Sequence, residues 1–263
     1  MQTFDGYPGL LKFNDLGYGI TQFVTTRRNP YGVGDNFNIG FSGGDISEII
    51  ENRKQLAIVL GIDSKCFVFQ NQIHKNYCHI VSSLNSDNGF YSKDTAIPDT
   101  DILLTNKSGV MLITRSADCV PVLMHDTRTR AIAAVHSGRE GTWLGATKTA
   151  VEKLVEIYGS NPMDIKVGIG PAICEKCYET DFDCGLKFTK SRFSQKCYNI
   201  DNKRGKVYLN LKMMIAEDLM NTGVQQKNIE ISNLCTKENP NKFFSARNGD
   251  RQRFCAGIMI NRK

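Results

Sequence analysis

Val110-Met111-Leu112-Ile113-Thr114, Val120-Pro121-Val122-Leu123-Met124 and Ala131-Ile132-Ala133-Ala134-Val135 follow one another closely, and a helical pattern from Thr142 to Tyr158 comes straight after them. Short apolar runs bounded by polar turns read as buried strands. Asp126-Thr127-Arg128-Thr129, polar and brief, is the hairpin turn between the second run and the third. In the helix, Leu144, Thr147, Ala150, Val151, Leu154, Val155 and Tyr158 recur at helical spacing, with Gly141-Thr142 opening it and Gly159 ending it. Buried strands beside an amphipathic helix predict an α/β fold, an α+β layered sandwich of mixed β-sheet flanked by helices.

The same reading extends outward in both directions. Residues 17–25 alternate as a strand that ends in Thr26-Arg27-Arg28-Asn29-Pro30, where Pro30, Gly32 and Gly34 force a loop. Ile49, Ile50, Leu56, Ile58 and Leu60 give a helix, with Ser47 as its N-cap and Gly61 as its stop. Lys65–Gln70 and His79–Val81 are strands, and the Asn/Ser/Asp-rich connection from Ser82 to Pro98 is expected to be a mobile surface loop or lid. Asp101–Thr105 is a short element, whereas Ile165–Ile169, Ile229–Ser232 and Phe254–Ile260 are strands. A weak helix lies near Asp181, and Leu209–Asn221 is amphipathic with Asn210 as its cap. No repeat, coiled coil or Pro/Gly linker divides the pattern, so residues 1–263 are expected to form one compact domain.

Hydrophobic residues make up 41% and charged residues 23% of the chain, ordinary values for a globular protein whose core needs no disulfides. The formal charge of +6 comes from dispersed lysines and the closing Asn261-Arg262-Lys263, not from a basic arm with interleaved aromatics. That pattern argues against nucleic acid and suits anionic small substrates such as phosphate. Nine cysteines are scattered, and Met1-Gln2-Thr3-Phe4-Asp5-Gly6 lacks the basic region and apolar core of a signal peptide. With no apolar run long enough to span a bilayer, a cytoplasmic protein with reduced thiols and no membrane partner is expected.

Three stretches hold the metal-ligating chemistry: Asn71-Gln72-Ile73-His74, Ser116-Ala117-Asp118-Cys119-Val120-Pro121-Val122 and Ala133-Ala134-Val135-His136-Ser137-Gly138. His74, Cys119 and His136 each sit beside an apolar run. Two imidazoles and a thiolate suit one zinc ion whose fourth position stays open for water or substrate. His136 has the richest context, because strand, glycine loop and helix succeed one another there and turn backbone N–H groups towards an anion. Taken singly, each of these residues also has a plain packing role. Cys119 with His136 equally makes the nucleophile and base of a metal-free, amidase-like hydrolase. Arg27, Arg28 and Arg247 (within Phe243-Phe244-Ser245-Ala246-Arg247-Asn248-Gly249) are guanidinium forks for phosphate or carboxylate. Cys174-Glu175-Lys176-Cys177 has CxxC spacing, compatible with redox chemistry or zinc, but a second CxxC is missing and a structural role is expected. His79 and His125 have no such context and are read as structural.

Taken in order, Thr25-Thr26-Arg27, Gln72-Ile73-His74, Asp101-Ile102-Leu103-Leu104-Thr105, Ser116-Ala117-Asp118-Cys119-Val120-Pro121-Val122, Ala134-Val135-His136-Ser137-Gly138-Arg139-Glu140-Gly141-Thr142, Ile169-Gly170-Pro171-Ala172-Ile173, Cys177-Tyr178-Glu179 and Phe243-Phe244-Ser245-Ala246-Arg247 resemble the motifs of the YfiH/laccase-domain family. That family is also labelled polyphenol oxidase or purine nucleoside phosphorylase, and the resemblance covers about residues 17–260. It implies a compact layered α/β fold related to cysteine-hydrolase toxins. It places His74, Cys119 and His136 on the family's metal-binding positions, with zinc as the metal and copper as the other option. It further implies phosphorolysis of adenosine, inosine, guanosine or methylthioadenosine, with deamination of adenosine.

For phosphorolysis, Arg27, Arg247 and Arg139 would hold phosphate and stabilise charge. For deamination, Glu140, Glu179 or Asp118 would carry the proton. The chain departs from the family at Arg139-Glu140, where Trp-Arg is usual, and at Cys174, where glycine is usual. A carboxylate at 140 beside the metal would aid proton transfer and repel phosphate, so deamination is expected to survive better than phosphorolysis. A copper phenol oxidase needs more histidines than the four present. A non-enzymatic metal-binding protein is the remaining alternative.

Overall fold

The computed structural model describes residues 1–84 and 87–262. Its first half runs β1 (Gln2–Phe4), β2 (Tyr7–Lys12), β3 (Ile20–Thr25), α1 (Ile46–Leu60), β4 (Phe67–Phe69), β5 (Cys78–Ile80), β6 (Ile102–Thr105), β7 (Met111–Ser116), β8 (Val120–Asp126) and β9 (Ile132–Ser137). There follow α2 (Arg139–Trp143), α3 (Ala146–Tyr158), β10 (Ile165–Ile169), β11 (Glu179–Asp181), α4 (Phe182–Thr189), β12 (Tyr198–Asp201), β13 (Lys206–Leu209), α5 (Leu211–Asn221), β14 (Ile229–Ile231) and β15 (Phe254–Ile260). One six-stranded sheet has the order β1-β2-β3-β15-β7-β4, a second has β14-β10-β8-β9-β6-β5, and a small third has β11-β13-β12. Pairing is antiparallel except at β4/β7, β5/β6 and β10/β14, so the two large sheets are mixed.

Side chains alternate across a strand, so each apolar strand serves two cores. Leu103, Leu123, Ile132 and Ala134 of the second sheet meet Val24, Leu112, Ala256 and Ile258 of the first in the space between the sheets. From the opposite face of the second sheet, Val122, Met124, Ala133 and Val135 pack on α3 and α5 through Ala150, Leu154, Ile215 and Leu219. The outer face of the first sheet, with Phe23, Met111, Ile113 and Cys255, takes Leu56 and Ala57 of α1. The layers therefore run helix, sheet, sheet, helix. This is the expected α/β sandwich.

Several local expectations are corrected. The N-cap of α1 is Asp45, not Ser47, because the Asp45 side chain accepts from the amides of Ser47 and Glu48. The helix expected over Thr142–Tyr158 is two helices, since Gly145 takes φ 74° and breaks the first from the second. The connection expected to be a mobile surface loop is tied down beyond Asn85 and Ser86, which lie outside the described residues. Phe90 is buried in the α1-side core, Phe69 donates its amide to Asn88, and Asn71 donates to Ile97. The guanidinium of Arg53, itself 1% exposed, donates to the carbonyls of Ile39, Gly89 and Phe90 and lies between the rings of Phe41 and Phe69. Among the described residues, no helix is long and apolar enough to cross a membrane.

Candidate metal centre and its cleft

Each of the three stretches reaches the site by a different route. After β4 the chain is held to β7 by Gln72, whose side chain accepts from the Arg115 amide and donates to the Arg115 carbonyl, both at 2.9 Å. It then turns through His74 at φ 62°, a conformation uncommon outside glycine. That turn points three successive amides, of Ile73, His74 and Lys75, at the carboxylate of Asp101 at 3.2, 3.1 and 2.8 Å. Cys119 sits in the turn between β7 and β8, after Asp118 at φ 90°. The Asp118 carboxylate secures that turn by accepting from the Thr236 hydroxyl (2.6 Å) and the Arg247 amide (2.8 Å). His136 lies near the end of β9, opposite Pro121 of β8. One trio member, His74, and the residue before another, Asp118, therefore lie in the left-handed region, local strain that the surrounding hydrogen bonds hold in place.

The ligand atoms of His74, Cys119 and His136 all lie within 4.8 Å of one another, and the two imidazoles meet edge to face. Gly138 makes room for them: a Cβ there would lie 2.9 Å from Cys119 Sγ and 3.1 Å from His74 Cδ2. Asp101, fully buried, accepts from His136 Nδ1 at 2.7 Å. That bond fixes the tautomer and leaves Nε2 free to act as ligand or base. Burial opposes charge on both Cys119 and His136, but each stabilises the other. His74 adds to the effect on the thiol, which comes down to about 6. Asp101 adds to the effect on the imidazole, which rises to about 9. Their mutual attraction favours the thiolate–imidazolium form of the pair.

The trio opens into a cleft of about 320 Å³, also lined by Phe41, Ser42, Asn71, Lys93, Arg115 and Arg253. Burial, helped by the neighbouring Arg253 charge, brings the Arg115 guanidinium down to about 10, which leaves it cationic at neutral pH. Among the described lining residues there is no carboxylate.

The expected anion and proton residues are placed elsewhere. Arg27 is a staple: Nε donates to the Asp35 carbonyl, Nη1 to the Pro240 carbonyl, and the group lies over Phe244. Its fork is taken up by protein atoms. Glu140 turns to α4, where Lys187 donates to it at 2.8 Å, with Arg139 3.5 Å away. Glu179 faces Tyr208 and Arg204 in the small third sheet, and the Asp118 carboxylate is consumed by the turn it holds. Arg247 lies over the Tyr178 ring and donates to the Glu179 carbonyl. With Arg139 it surrounds a half-buried phenol, that of Tyr178, which also feels Cys119, on a flank separate from the cleft lining. Arg115, Arg253 and Asp101 were not singled out from sequence. Asp101 had a signal, as the first residue of the Asp101–Thr105 motif, whereas Arg115 and Arg253 had none beyond a charge at the end of an apolar run.

A family model described as multi-copper polyphenol oxidoreductase laccase matches residues 21–261. The chain is 30% identical over 201 residues to the purine nucleoside phosphorylase YlmD of Bacillus subtilis, covering 76% of this chain and 72% of that protein. It is 28% identical over 235 residues to the adenosine deaminase RL5 of an unknown prokaryotic organism, covering 87% and 88%. The crystal structure of the Bacillus licheniformis hypothetical protein YfiH superposes with a TM-score of 0.84 at 31% identity, covering 92% of this chain and 93% of that one. With a match over nearly its whole length and the same fold, the chain belongs to the multi-copper polyphenol oxidoreductase laccase family, which includes the YfiH-like proteins.

Proposed function

We propose that this protein is a zinc-dependent purine nucleoside enzyme whose main reaction is phosphorolysis of adenosine, inosine, guanosine or methylthioadenosine. The single observation that carries the reading is the joining, in one cleft, of the His74/Cys119/His136 trio with the cations Arg115 and Arg253. The names of the relatives, one a purine nucleoside phosphorylase and one an adenosine deaminase, support the substrate class.

The donor set fits zinc. Two imidazoles and a thiolate leave a fourth position open, and Gly138 leaves no side chain in the space between the ligands. A multinuclear copper centre does not fit: of the four histidines, His125 donates Nδ1–H to the Leu16 carbonyl and His79 lies on β5. When bound, zinc would supply a Lewis acid to polarise a substrate oxygen or water.

The chain's own residues do the rest. Arg115, which donates Nη2 to the Gln70 carbonyl, and Arg253, whose Nη1 donates to the Arg251 and Gln252 carbonyls, hold a phosphate with their remaining N–H groups, and Lys93 adds positive charge at the rim. The phosphate oxygen forms the new bond to ribose C1′ as the bond from C1′ to the purine nitrogen breaks, and the base leaves with that electron pair. The fixed arginines stabilise the charge that develops between the two. Phe41 offers an apolar face to the base, and Asn71 and Ser42 offer hydrogen bonds. Asp101 holds the His136 ring in register. Deamination, by contrast, needs a group to carry a proton to the departing amine, and the lining offers no carboxylate for it. Phosphorolysis is therefore the favoured reaction, the reverse of the order that Glu140 suggested from sequence, with adenosine deamination second.

The test is inosine with and without phosphate, measuring hypoxanthine and ribose-1-phosphate. Base release should require phosphate and fall on chelation. Arg253→Ala should raise KM for phosphate about tenfold or more, the scale of a lost charged hydrogen bond. Release of free ribose without phosphate would sink phosphorolysis. Amide hydrolysis by metal-free protein would instead establish the thiolate–imidazolium pair as a Cys119/His136 hydrolase.

A further inference from the structure

A second set of soft donors lies outside the cleft. After β10 the chain passes Gly170-Pro171-Ala172-Ile173 and enters a tight turn, in which Cys177 donates its amide to the Cys174 carbonyl at 3.1 Å. A second turn, Cys235–Asn239, comes alongside. Ala172 and Cys235 form a parallel bridge, and the Cys174 amide donates to Cys235 Sγ at 3.3 Å. The second turn is closed on itself by the amide and side chain of Asn239, which both donate to the Cys235 carbonyl. Cys177 Sγ lies 3.7 Å from Glu238 Oε1. The ligand atoms of Cys174, Cys177, Cys235 and Glu238 are all within 4.8 Å of one another.

We propose that Cys174, Cys177, Cys235 and Glu238 form a second, structural zinc site, distinct from the His74/Cys119/His136 centre. Each turn contributes a pair of donors three residues apart, Cys174 with Cys177 and Cys235 with Glu238, so two short clasps close on one ion. With Zn–S bonds of about 2.3 Å, sulfurs at the corners of a tetrahedron stand about 3.8 Å apart. The observed cluster needs only a small contraction to reach that. Three thiolates and a carboxylate make four protein ligands, a closed set with no open position, which is the signature of a structural rather than a catalytic site. Three thiolates select a thiophilic ion such as zinc over magnesium or calcium. The excess negative charge has a partner in Lys212, a mostly buried ammonium on the same concavity, which donates to the carbonyls of Ser232 and Leu234. The sequence reading withheld zinc from Cys174/Cys177 for want of a second pair. The fold supplies it: Cys235 and Glu238 keep the CxxC spacing, with a carboxylate in place of the second thiol.

The clasp also reaches the first site. Thr236, next to Cys235, donates to the Asp118 carboxylate that holds the Cys119 turn. A metal at the second site would fix that support without touching the cleft.

The experiment is metal binding by the full chain under reducing conditions, with the first site disabled. Cys119→Ser protein should still take up one zinc, and with cobalt it should show an intense thiolate-to-metal charge-transfer band. Adding Cys177→Ser should remove the band and the bound ion, and Glu238→Gln, which spares the thiols, should weaken binding tenfold or more. Wild-type protein should bind two equivalents. Folded, fully reduced Cys119→Ser protein that takes up neither zinc nor cobalt overturns the proposal, as does thiol counting that finds Cys174 and Cys177 joined to each other in freshly isolated protein. Neither result depends on nucleoside turnover, so failure here is distinguishable from failure of the first assignment.

Discussion

Gly138→Ala is a sharp test of the trio, because its backbone does not object to alanine. At φ −80° and ψ −170° the residue is in the extended region, so a side chain adds no strain of its own. The new Cβ would lie 2.9 Å from Cys119 Sγ and 3.1 Å from His74 Cδ2, whereas ordinary contact begins at 3.4 Å. The sulfur must retreat about 0.5 Å and the ring about 0.3 Å, against a tolerance of about 0.2 Å in a metal–ligand bond. Cys119 has little room to give, since Ser116 Oγ donates to its carbonyl and the residue before it, Asp118, is anchored by the Thr236 hydroxyl and the Arg247 amide. His74 is exposed and will swing, taking its nitrogen out of bonding range. Zinc affinity at this centre should fall about a hundredfold, or about 2.8 kcal/mol. The measurement is a zinc competition titration with a chromophoric chelator. A thermal melt of the metal-free protein accompanies it, and should move by no more than the ~1 kcal/mol expected for alanine in place of glycine at a helix N-cap. Unchanged zinc affinity in a folded Gly138→Ala protein would refute the assignment of these three residues as ligands of one ion.

Three further outcomes follow from the same geometry. Asp101→Asn should lower zinc affinity ten- to a hundredfold by competition titration, since it weakens the acceptor that orients His136 and three loop amides. Glu140→Arg should leave both phosphorolysis and deamination rates within about twofold, and cost no more than ~1 kcal/mol in a melt, because it disrupts only a half-exposed pair with Lys187. A large change in either rate would return Glu140 to the cleft. Arg53→Met should destabilise the protein by about 3 kcal/mol or more in urea unfolding, by leaving the buried carbonyls of Ile39, Gly89 and Phe90 without donors.

The apolar strands and the trio could be read in the sequence because each carries its own local mark. β7, β8, β9 and β15 are runs of apolar residues, and the Asn210 cap of α5 is a side chain that accepts the Met213 amide as expected. The strands that went unread are short and mixed in polarity. β11 buries a single residue and β13 alternate residues on the side of α4, and β12 has none fully buried, so only the partner reveals which face is inside. The hairpin of β1 and β2 was missed although Asp5-Gly6 between Phe4 and Tyr7 is a recognised turn signal. The anion side of the cleft was hidden for another reason. Arg115 sits on β7 and Arg253 just before β15, adjacent strands of one sheet that are distant in the chain. Their meeting is a product of topology. Arg27 and Arg247 looked equally suitable; all four guanidinium groups donate to backbone carbonyls, and what sets Arg115 and Arg253 apart is their place in the cleft lining.

The place of β15 has a consequence for biosynthesis. It is an inner strand of the first sheet, paired with β3 on one side and β7 on the other, yet it is made after both. About 140 residues separate the end of β7 from its start, which at ribosomal speeds of ~5–20 residues per second is on the order of ten seconds. Throughout that interval β3 and β7 present open edges, and open edges invite pairing with other chains. His74 is synthesised before this window and Cys119 and His136 early within it, when β7, which leads into the Cys119 turn, still lacks its neighbour. A nascent chain in this state exposes open strand edges together with the Cys119 thiol. Yield in a cell should therefore depend on translation rate and chaperone supply more than the stability of the finished fold suggests.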